Sequence, residues 1–414
     1  MRSDRNGAGG VVQFALPIKN RRRRRPSVPG RVPRRLGVAG LFAGIGGIEL
    51  GLSRAGHEAL LLCENDPCAR AVLDERLPDI STHGDIRTLD VLPEGTQLLA
   101  AGFPCQDLSQ AGKTAGIAGP RSGLVGEVFR LLRTQRVPLV LLENVPFMLQ
   151  LAKGQALGVI VEALEQLGYT WAYRVIDTRA FGLPQRRERV FLLAALDEDP
   201  RAVLFTDDAG VPPPRDSAGL ACGFYWTEGV RGLGWAVNAV PTLKGGSTIG
   251  IPSPPAVLLP SGEIVKPDLR DMERMQGFPV EWTQPAERVA KRGYRYKLVG
   301  NAVTVDVARW IGEKLAQPGT YEPTADRPLE AGEAWPRAAW NIGTGRFAAP
   351  LSAWPVRRRG IALHRFLRYR PEPLSAKAAA GFLARTKHGC LRFPPGFIEA
   401  VEAHLDRMEA AAAA

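Results

Sequence analysis

The chain has 414 residues, enough for one large catalytic domain with a smaller companion or for two domains of ordinary size, so core size excludes no function class. Its formal charge is +12, from 54 Lys and Arg against 42 Asp and Glu, but residues 1–35 hold eleven basic side chains and one Asp and so carry +10 of it. The remainder is near neutral, which excludes reading the global charge as a sign that the folded part binds nucleic acid; any basic groove there is a local arrangement.

Residues 1–35 combine Gly and Pro with five consecutive Arg at 21–25, a composition that cannot bury enough apolar surface to order itself. They read as a disordered basic arm, either a nonspecific nucleic-acid contact or an upstream extension with no specific role. Over residues 36–196, apolar strand-like runs at 37–42, 59–63, 98–101, 139–142 and 190–194 alternate with helical patterns such as 123–132 and 158–167. That alternation predicts an α/β domain with a doubly wound, mostly parallel sheet and ligands at the carboxyl ends of its strands. Residues 197–267 change to Pro, Gly, Ser and Thr with scattered Trp, and are expected to form a small, irregular β-rich insert. The α/β pattern returns over 268–318, where Val303, Val307, Ile311 and Leu315 fall at successive i+4 positions on a helix that should pack back on the sheet. Residues 319–414 are a C-terminal extension of unassigned role. Within it Arg357, Arg358, Arg359, Arg365, Arg368 and Arg370 interleave with Trp354, Phe366 and Tyr369, which fits a solvated helix with snorkelling arginines or a track along a nucleic-acid backbone.

The five cysteines are odd in number and show no CxxC spacing, which fits a reducing cytosol better than a disulfide framework or a metal centre. Cys105 is then free to react. It stands in Gly102-Phe103-Pro104-Cys105-Gln106, on a loop that follows a strand-like run, where neighbouring dipoles can lower a thiol's pKa. A second run ends in Glu143-Asn144-Val145, so two neighbouring segments each deliver one reactive side chain. Leu41-Phe42-Ala43-Gly44-Ile45-Gly46-Gly47 follows the first strand and opens a helix, a turn that lets backbone approach a ligand. Glu64-Asn65 ends the second strand in reach of ribose hydroxyls, and Asp85-Ile86 follows where a third strand would deliver an acid to an adenine. Taken alone, these cofactor elements fit an NAD-binding fold as well. Residues 182–191 (GLPQRRERVF) lead into another strand on which alternation sets Gln185, Arg187 and Arg189 on one side; alone they would also suit an edge strand with a solvated basic face. No long apolar run and no secretory pattern is found, so a soluble, intracellular protein is expected.

Together with residues 270–279 (RDMERMQGFP) and 297–303 (KLVGNAV), these blocks resemble the cytosine-5 DNA methyltransferases, in the family's order and over about two thirds of the chain. The resemblance implies a Rossmann-like S-adenosylmethionine-dependent domain over 36–196 and 268–318, with a target-recognition domain over 197–267. It implies that Phe42, Ala43, Gly44, Gly46, Gly47, Glu64, Asn65, Asp85, Ile86, Gly102, Asn301, Ala302 and Val303 bind S-adenosylmethionine, with Phe42 against the adenine. Cys105 would be the nucleophile after Pro104, and Glu143 its acid partner. Arg189 would contact the flipped base and steady Glu143, while Arg187 supports the catalytic loop beside Gln185. The loop 106–122 would close over the base with Arg121 and Ser122 at the DNA backbone, and Thr242 and Lys244 would contribute to sequence choice. The implied partner is double-stranded DNA, bound by a bacterial modification methylase acting as a monomer alongside a cognate restriction endonuclease or defence system. In one departure, the family's usual Asp before Leu-Phe-Ala-Gly is Gly40 here. Two competing readings share much of this pattern, a tRNA cytosine-5 methyltransferase and a weakly catalytic DNA-binding regulator.

Overall fold

The computed structural model describes residues 33–104, 123–213, 219–232, 234–246, 254–389 and 391–413. Cys105, the expected closing loop with Arg121 and Ser122, and nearly all of the expected arm lie outside the described residues. The first half of the folded unit runs β1 (Gly37–Leu41), α1 (Gly47–Arg54), β2 (Glu58–Cys63), α2 (Pro67–Arg76), β3 (Ser81–His83), β4 (Thr96–Ala101) and α3 (Gly123–Thr134). It continues through β5 (Leu139–Asn144), α4 (Gln155–Gln166), β6 (Thr170–Asp177), β7 (Gln185–Arg186) and β8 (Glu188–Ala195).

Among the described residues, ten strands form the main sheet, and from one edge the order begins β3-β2-β1-β4-β5-β8-β6. Parallel pairing is confined to β3-β2-β1-β4-β5, while β8 lies antiparallel to both β5 and β6. The sheet is therefore mixed rather than mostly parallel. The link from β6 to β8 is too short for a covered crossover, and such a link returns the chain antiparallel.

Both faces are covered. Phe129 of α3 and Ile160 of α4 pack on one face with Trp171 and Tyr173 of β6. Leu52 of α1 packs on the other with Val307, Ile311 and Leu315 of α7 (Val305–Ala316), and Val303 joins them from just before that helix. The i+4 pattern thus marks the buried face it predicted.

The insert supplies β9 (Cys222–Phe224), β10 (Trp235–Val237), β11 (Val240–Pro241), β12 (Ala256–Leu258) and β13 (Ile264–Lys266), and α5 (Leu269–Met275) and α6 (Tyr294–Asn301) lead the chain back. β11 pairs with β7, and the other four strands build a second sheet. Residues 319–414 complete both sheets. β14 (Arg327–Pro328), β15 (Ala338–Asn341) and β16 (Phe347–Ala348) extend the main sheet beyond β6, and β17 (Glu372–Pro373) pairs with β13. Helices α8 (Ala376–Thr386) and α9 (Phe397–Ala413) close the small sheet's core, with Phe382 and Phe397 against Phe224 at ring separations of 4.8 and 5.1 Å.

Two expectations change here. The Arg-rich stretch is not a solvated helix: apart from one turn at Leu363–Phe366 it is irregular, because Leu363 and Phe366 are buried against the insert. Its Arg357 donates to the carbonyls of Ala209 and Gly210, and Arg358 pairs with Asp306 and Glu313. Arg34 and Arg35, expected at the end of the arm, belong to the folded unit, where the Arg34 amide donates to Ala316 O and Arg35 pairs with Glu58. No helix among the described residues is long and apolar enough to cross a membrane.

Candidate active site

Strand order reverses at β1, which lies between β2 and β4, so the carboxyl ends of these strands diverge and leave a crevice. A cavity of about 330 Å³ fills it. Phe42 leaves β1 with φ 54°, a left-handed conformation uncommon for a bulky residue, and its ring lies on the cavity wall. Gly44 follows at φ 56°, and a Cβ there would meet no protein atom within 4 Å, so it is the turn and not a neighbouring part of the chain that calls for glycine.

The turn is tied to β2 through Glu64. Its Oε2 accepts the Gly44 amide at 2.7 Å and its Oε1 accepts the Asp66 amide at 2.8 Å. Burial raises the Glu64 pKa, and these N–H donors oppose the shift. Asp66 caps α2 through the Cys68 amide and accepts Tyr294 Oη at 2.6 Å and Lys297 Nζ at 3.3 Å. Asp85 is gripped by Arg87, whose hydrogen bonds pull its pKa down to about 2.

Of the expected cofactor residues, Phe42, Gly44, Glu64, Asn65, Asp85, Ile86, Gly102, Asn301 and Ala302 line this one cavity. Ala43, Gly46, Gly47 and Val303 do not. The Ala43 amide donates to Cys63 O, and a Cβ on Gly47 would collide with Val303 O, so Gly47 and Val303 serve the close approach of α1 to the returning chain. Asp66, Leu124, Lys297 and Leu298 also line the cavity and were missed. Lys297 was within reach of the sequence, since it lies one helical turn before Asn301 on the same helix.

On the other side of the crevice β4 and β5 pair in register, with Ala101 opposite Leu142, so Gly102 and Glu143 emerge side by side. A Cβ on Gly102 would stand 3.4 Å from Glu143 Oε2. Asn144 Nδ2 donates to Phe103 O at 3.1 Å and fixes the stem of the Pro-Cys loop, whose Pro104 reaches the cavity. Glu143 is 8% exposed, and its Oε1 lies 3.1 Å from Arg189 Nε. The pair is ionic without hydrogen-bond alignment, so Oε1 is buried and has no hydrogen-bond partner among the described residues. Burial raises the Glu143 pKa, against the opposing charges of Arg189 and Arg187. The result is a carboxyl group that holds a proton beyond the usual carboxylate range and has an acceptor position free.

Gln185 and Arg187 are buried, which removes the reading of a solvated edge strand. Neither lines the cavity. Gln185 donates to Met275 O and Gln276 Oε1 and accepts the Leu243 amide. Arg187 donates to the carbonyls of Leu243, Gly300 and Ala302 at 3.0, 3.1 and 2.7 Å. Arg187 thus clamps the insert, the returning helix and the start of β8 through three carbonyls, while the catalytic loop it is expected to support lies outside the described residues. Thr242 donates to Arg186 O, and Lys244 lies 3.2 Å from Glu228 and over the Tyr225 ring.

The sequence matches the family described as C-5 cytosine-specific DNA methylase over residues 36–216 and 267–317. It is 46% identical over 384 residues to the Type II methyltransferase M2.BsuMI of Bacillus subtilis (strain 168), spanning 89% of this chain and 98% of that protein. It is 28% identical over 297 residues to the Type II methyltransferase M.MspI of Moraxella sp, spanning 67% and 69% of the two chains. The crystal structure of S. pombe Dnmt2 methyltransferase superimposes with a TM-score of 0.48 at 18% identity, covering 68% of this chain and 98% of that one. With more than half of its length matched to one family and nine-tenths to one relative, the chain belongs to the C-5 cytosine-specific DNA methylases and is a DNA cytosine-5 methyltransferase.

Proposed function

We propose that this enzyme holds S-adenosylmethionine in the crevice at β1 and methylates a cytosine flipped from a specific duplex sequence, with Cys105 as nucleophile and Glu143 as its acid partner. The observation that carries the reading is Glu143, a buried carboxyl with a raised pKa, ion-paired with Arg189 but with an oxygen that makes no hydrogen bond among the described residues, level with Gly102 and so two residues by register from Pro104. The cavity suits the cofactor: Glu64 and Asp85 offer acceptors to hydroxyl and amino groups, the side-chain-free face of Gly44 admits close approach, and Phe42 provides an apolar wall. When bound, the cofactor supplies an electrophilic methyl group on a sulfonium.

A stacked cytosine cannot be reached at C6, so the base must leave the duplex. The Cys105 thiolate forms a bond to C6, and the displaced ring electrons move toward N3, where the Glu143 carboxyl delivers its proton. Carbon C5 thereby becomes an enamine carbon able to take the methyl group. Loss of the C5 proton to solvent then returns an electron pair to the ring and expels the thiolate, and the N3 proton goes back to the Glu143 carboxylate, which restores both the neutral aromatic base and the acid. Arg189 keeps Glu143 oriented throughout.

Residues 197–267 are proposed as the target-recognition domain, docked through the Gln185 and Arg187 clamp, with Thr242 and Lys244 among its DNA contacts. The two relatives are named Type II methyltransferases, and we place this chain in the same kind of restriction–modification pair, acting as a monomer on double-stranded DNA beside a cognate endonuclease. Bisulfite sequencing of DNA from a methylation-free host expressing the protein tests the reading. Protected cytosines should fall in one short sequence context and vanish with Cys105→Ala; context-free protection, or label found only in tRNA, would contradict it.

A further inference from the structure

The place that the family usually gives to an aspartate is not empty in this chain. A Cβ built on Gly40 of β1 would overlap Oε1 of Glu49, so the carboxylate of a residue nine positions later fills the space a side chain at position 40 would take. Glu49 lies in the first turn of α1, at the end of the helix where backbone N–H groups favour a negative charge. Its carboxylate therefore lies against β1, two residues before Phe42, where the chain reaches the cavity. The residue is 2% exposed, and Oε2 has no hydrogen-bond partner among the described residues. A buried, unpaired carboxylate oxygen is costly and calls for a donor.

Each of the neighbouring acids already has a donor from the protein, unlike Glu49 Oε2. Both oxygens of Glu64 accept backbone amides, Asp66 is taken by Tyr294 and Lys297, and Asp85 is gripped by Arg87. Burial pushes the Glu49 pKa up to about 7, with the Glu64 charge adding to the shift, and Glu49 makes no ion pair with a basic side chain among the described residues. The methionine end of S-adenosylmethionine carries a cation, its α-ammonium.

Resting on the cofactor reading above, we propose that Glu49 is a cofactor-binding residue whose Oε2 accepts the α-ammonium of S-adenosylmethionine, the carboxylate having moved from strand β1 to helix α1. Gly40 and Glu49 then form one unit: a side chain at 40 is excluded because the acid arrives from 49.

The test is calorimetric binding of S-adenosylhomocysteine and of its analogue lacking the α-amino group, with melting curves to follow folding. Glu49→Gln keeps the shape and should weaken S-adenosylhomocysteine binding about tenfold, the loss of one charge-assisted hydrogen bond. It should leave the desamino analogue unaffected. Gly40→Asp alone should bind poorly through the overlap, whereas Gly40→Asp combined with Glu49→Ala should recover binding by returning the acid to the strand. Unchanged affinity in Glu49→Gln, or equal losses for both ligands, would overturn the inference while leaving the cofactor site intact. If the unmodified protein itself bound neither ligand, the cofactor reading beneath it would fall as well.

Discussion

The proposed cofactor side and the proposed recognition side of this enzyme are built in different ways. The crevice at β1 is assembled from strand ends that follow one another closely in the chain, each bringing one or two functional residues: Phe42 and Gly44, Glu64, Asp85, then Gly102. The small sheet has strands of two or three residues, and its core is finished by Phe382 and Phe397 from the far end of the sequence. One half is local in sequence and held by the parallel sheet. The other is non-local and depends on residues more than a hundred positions downstream. This difference teaches that chemistry and recognition should fail separately when each is perturbed, with Gln185 and Arg187 as the joint between them.

The largest effect should come from the chemical side. Glu143→Gln keeps the size of the side chain but removes the proton, and turnover should fall by about two to four orders of magnitude. Duplex binding should be preserved, as read by single-turnover methyl transfer beside a gel-shift titration. Weakened DNA binding with near-normal turnover would assign Glu143 to recognition instead.

Next comes the distal core. Phe382 is fully buried against Phe224 and Phe397, so Phe382→Ala should cost about 3–5 kcal/mol of stability in the small sheet. DNA affinity should drop while cofactor affinity stays; a matched loss of both would erase the distinction between the two halves.

A comparable but pH-limited effect belongs to Glu49. Its pKa is raised from 4.5 to about 7 in the folded protein, so the folded state holds a proton that the unfolded state has released over that interval. The associated stability is complete below 4.5 and is lost as pH rises through about 7. Chemical denaturation across this range should show a decline of up to about 3 kcal/mol that Glu49→Gln flattens. A slope unchanged by the substitution would place its origin elsewhere.

The smallest effect concerns residues 1–33. Removing them should make DNA affinity less steep in salt without altering the methylated sequence. A changed sequence preference would show that recognition is not confined to the small sheet and its neighbours.

The sequence made the cofactor half legible because its signals are local. A Gly-rich turn after a strand, an acid at the next strand end, and Pro-Cys and Glu-Asn at neighbouring strand ends can each be read in a window of a few residues, and the structure brings most of them to one cavity. What stayed hidden depends on distance. Strands β14, β16 and β17 have two residues each, too short to show a period, so residues 319–414 read as an extension rather than as the completion of two sheets. The targets of Arg187 are backbone carbonyls at 243, 300 and 302, and a carbonyl leaves no mark in a sequence. The overlap of Glu49 with Gly40 depends on a turn in which Phe42, Gly44 and Gly46 all take positive φ. Periodicity carries no record of such a turn, and a glycine in place of an acid therefore resembles a loss.

The central claim is that the two strand ends form one covalent site, with Cys105 adding to the flipped base beside Glu143. The most direct measurement incubates the protein with cofactor and a duplex carrying 5-fluorocytosine at the target position, then maps the attachment site by mass spectrometry. Fluorine at C5 blocks the final elimination, so the account predicts a denaturation-resistant complex joined through Cys105 and absent in Cys105→Ala. No covalent complex on a duplex that is methylated when it carries ordinary cytosine, or attachment through another residue, would contradict it.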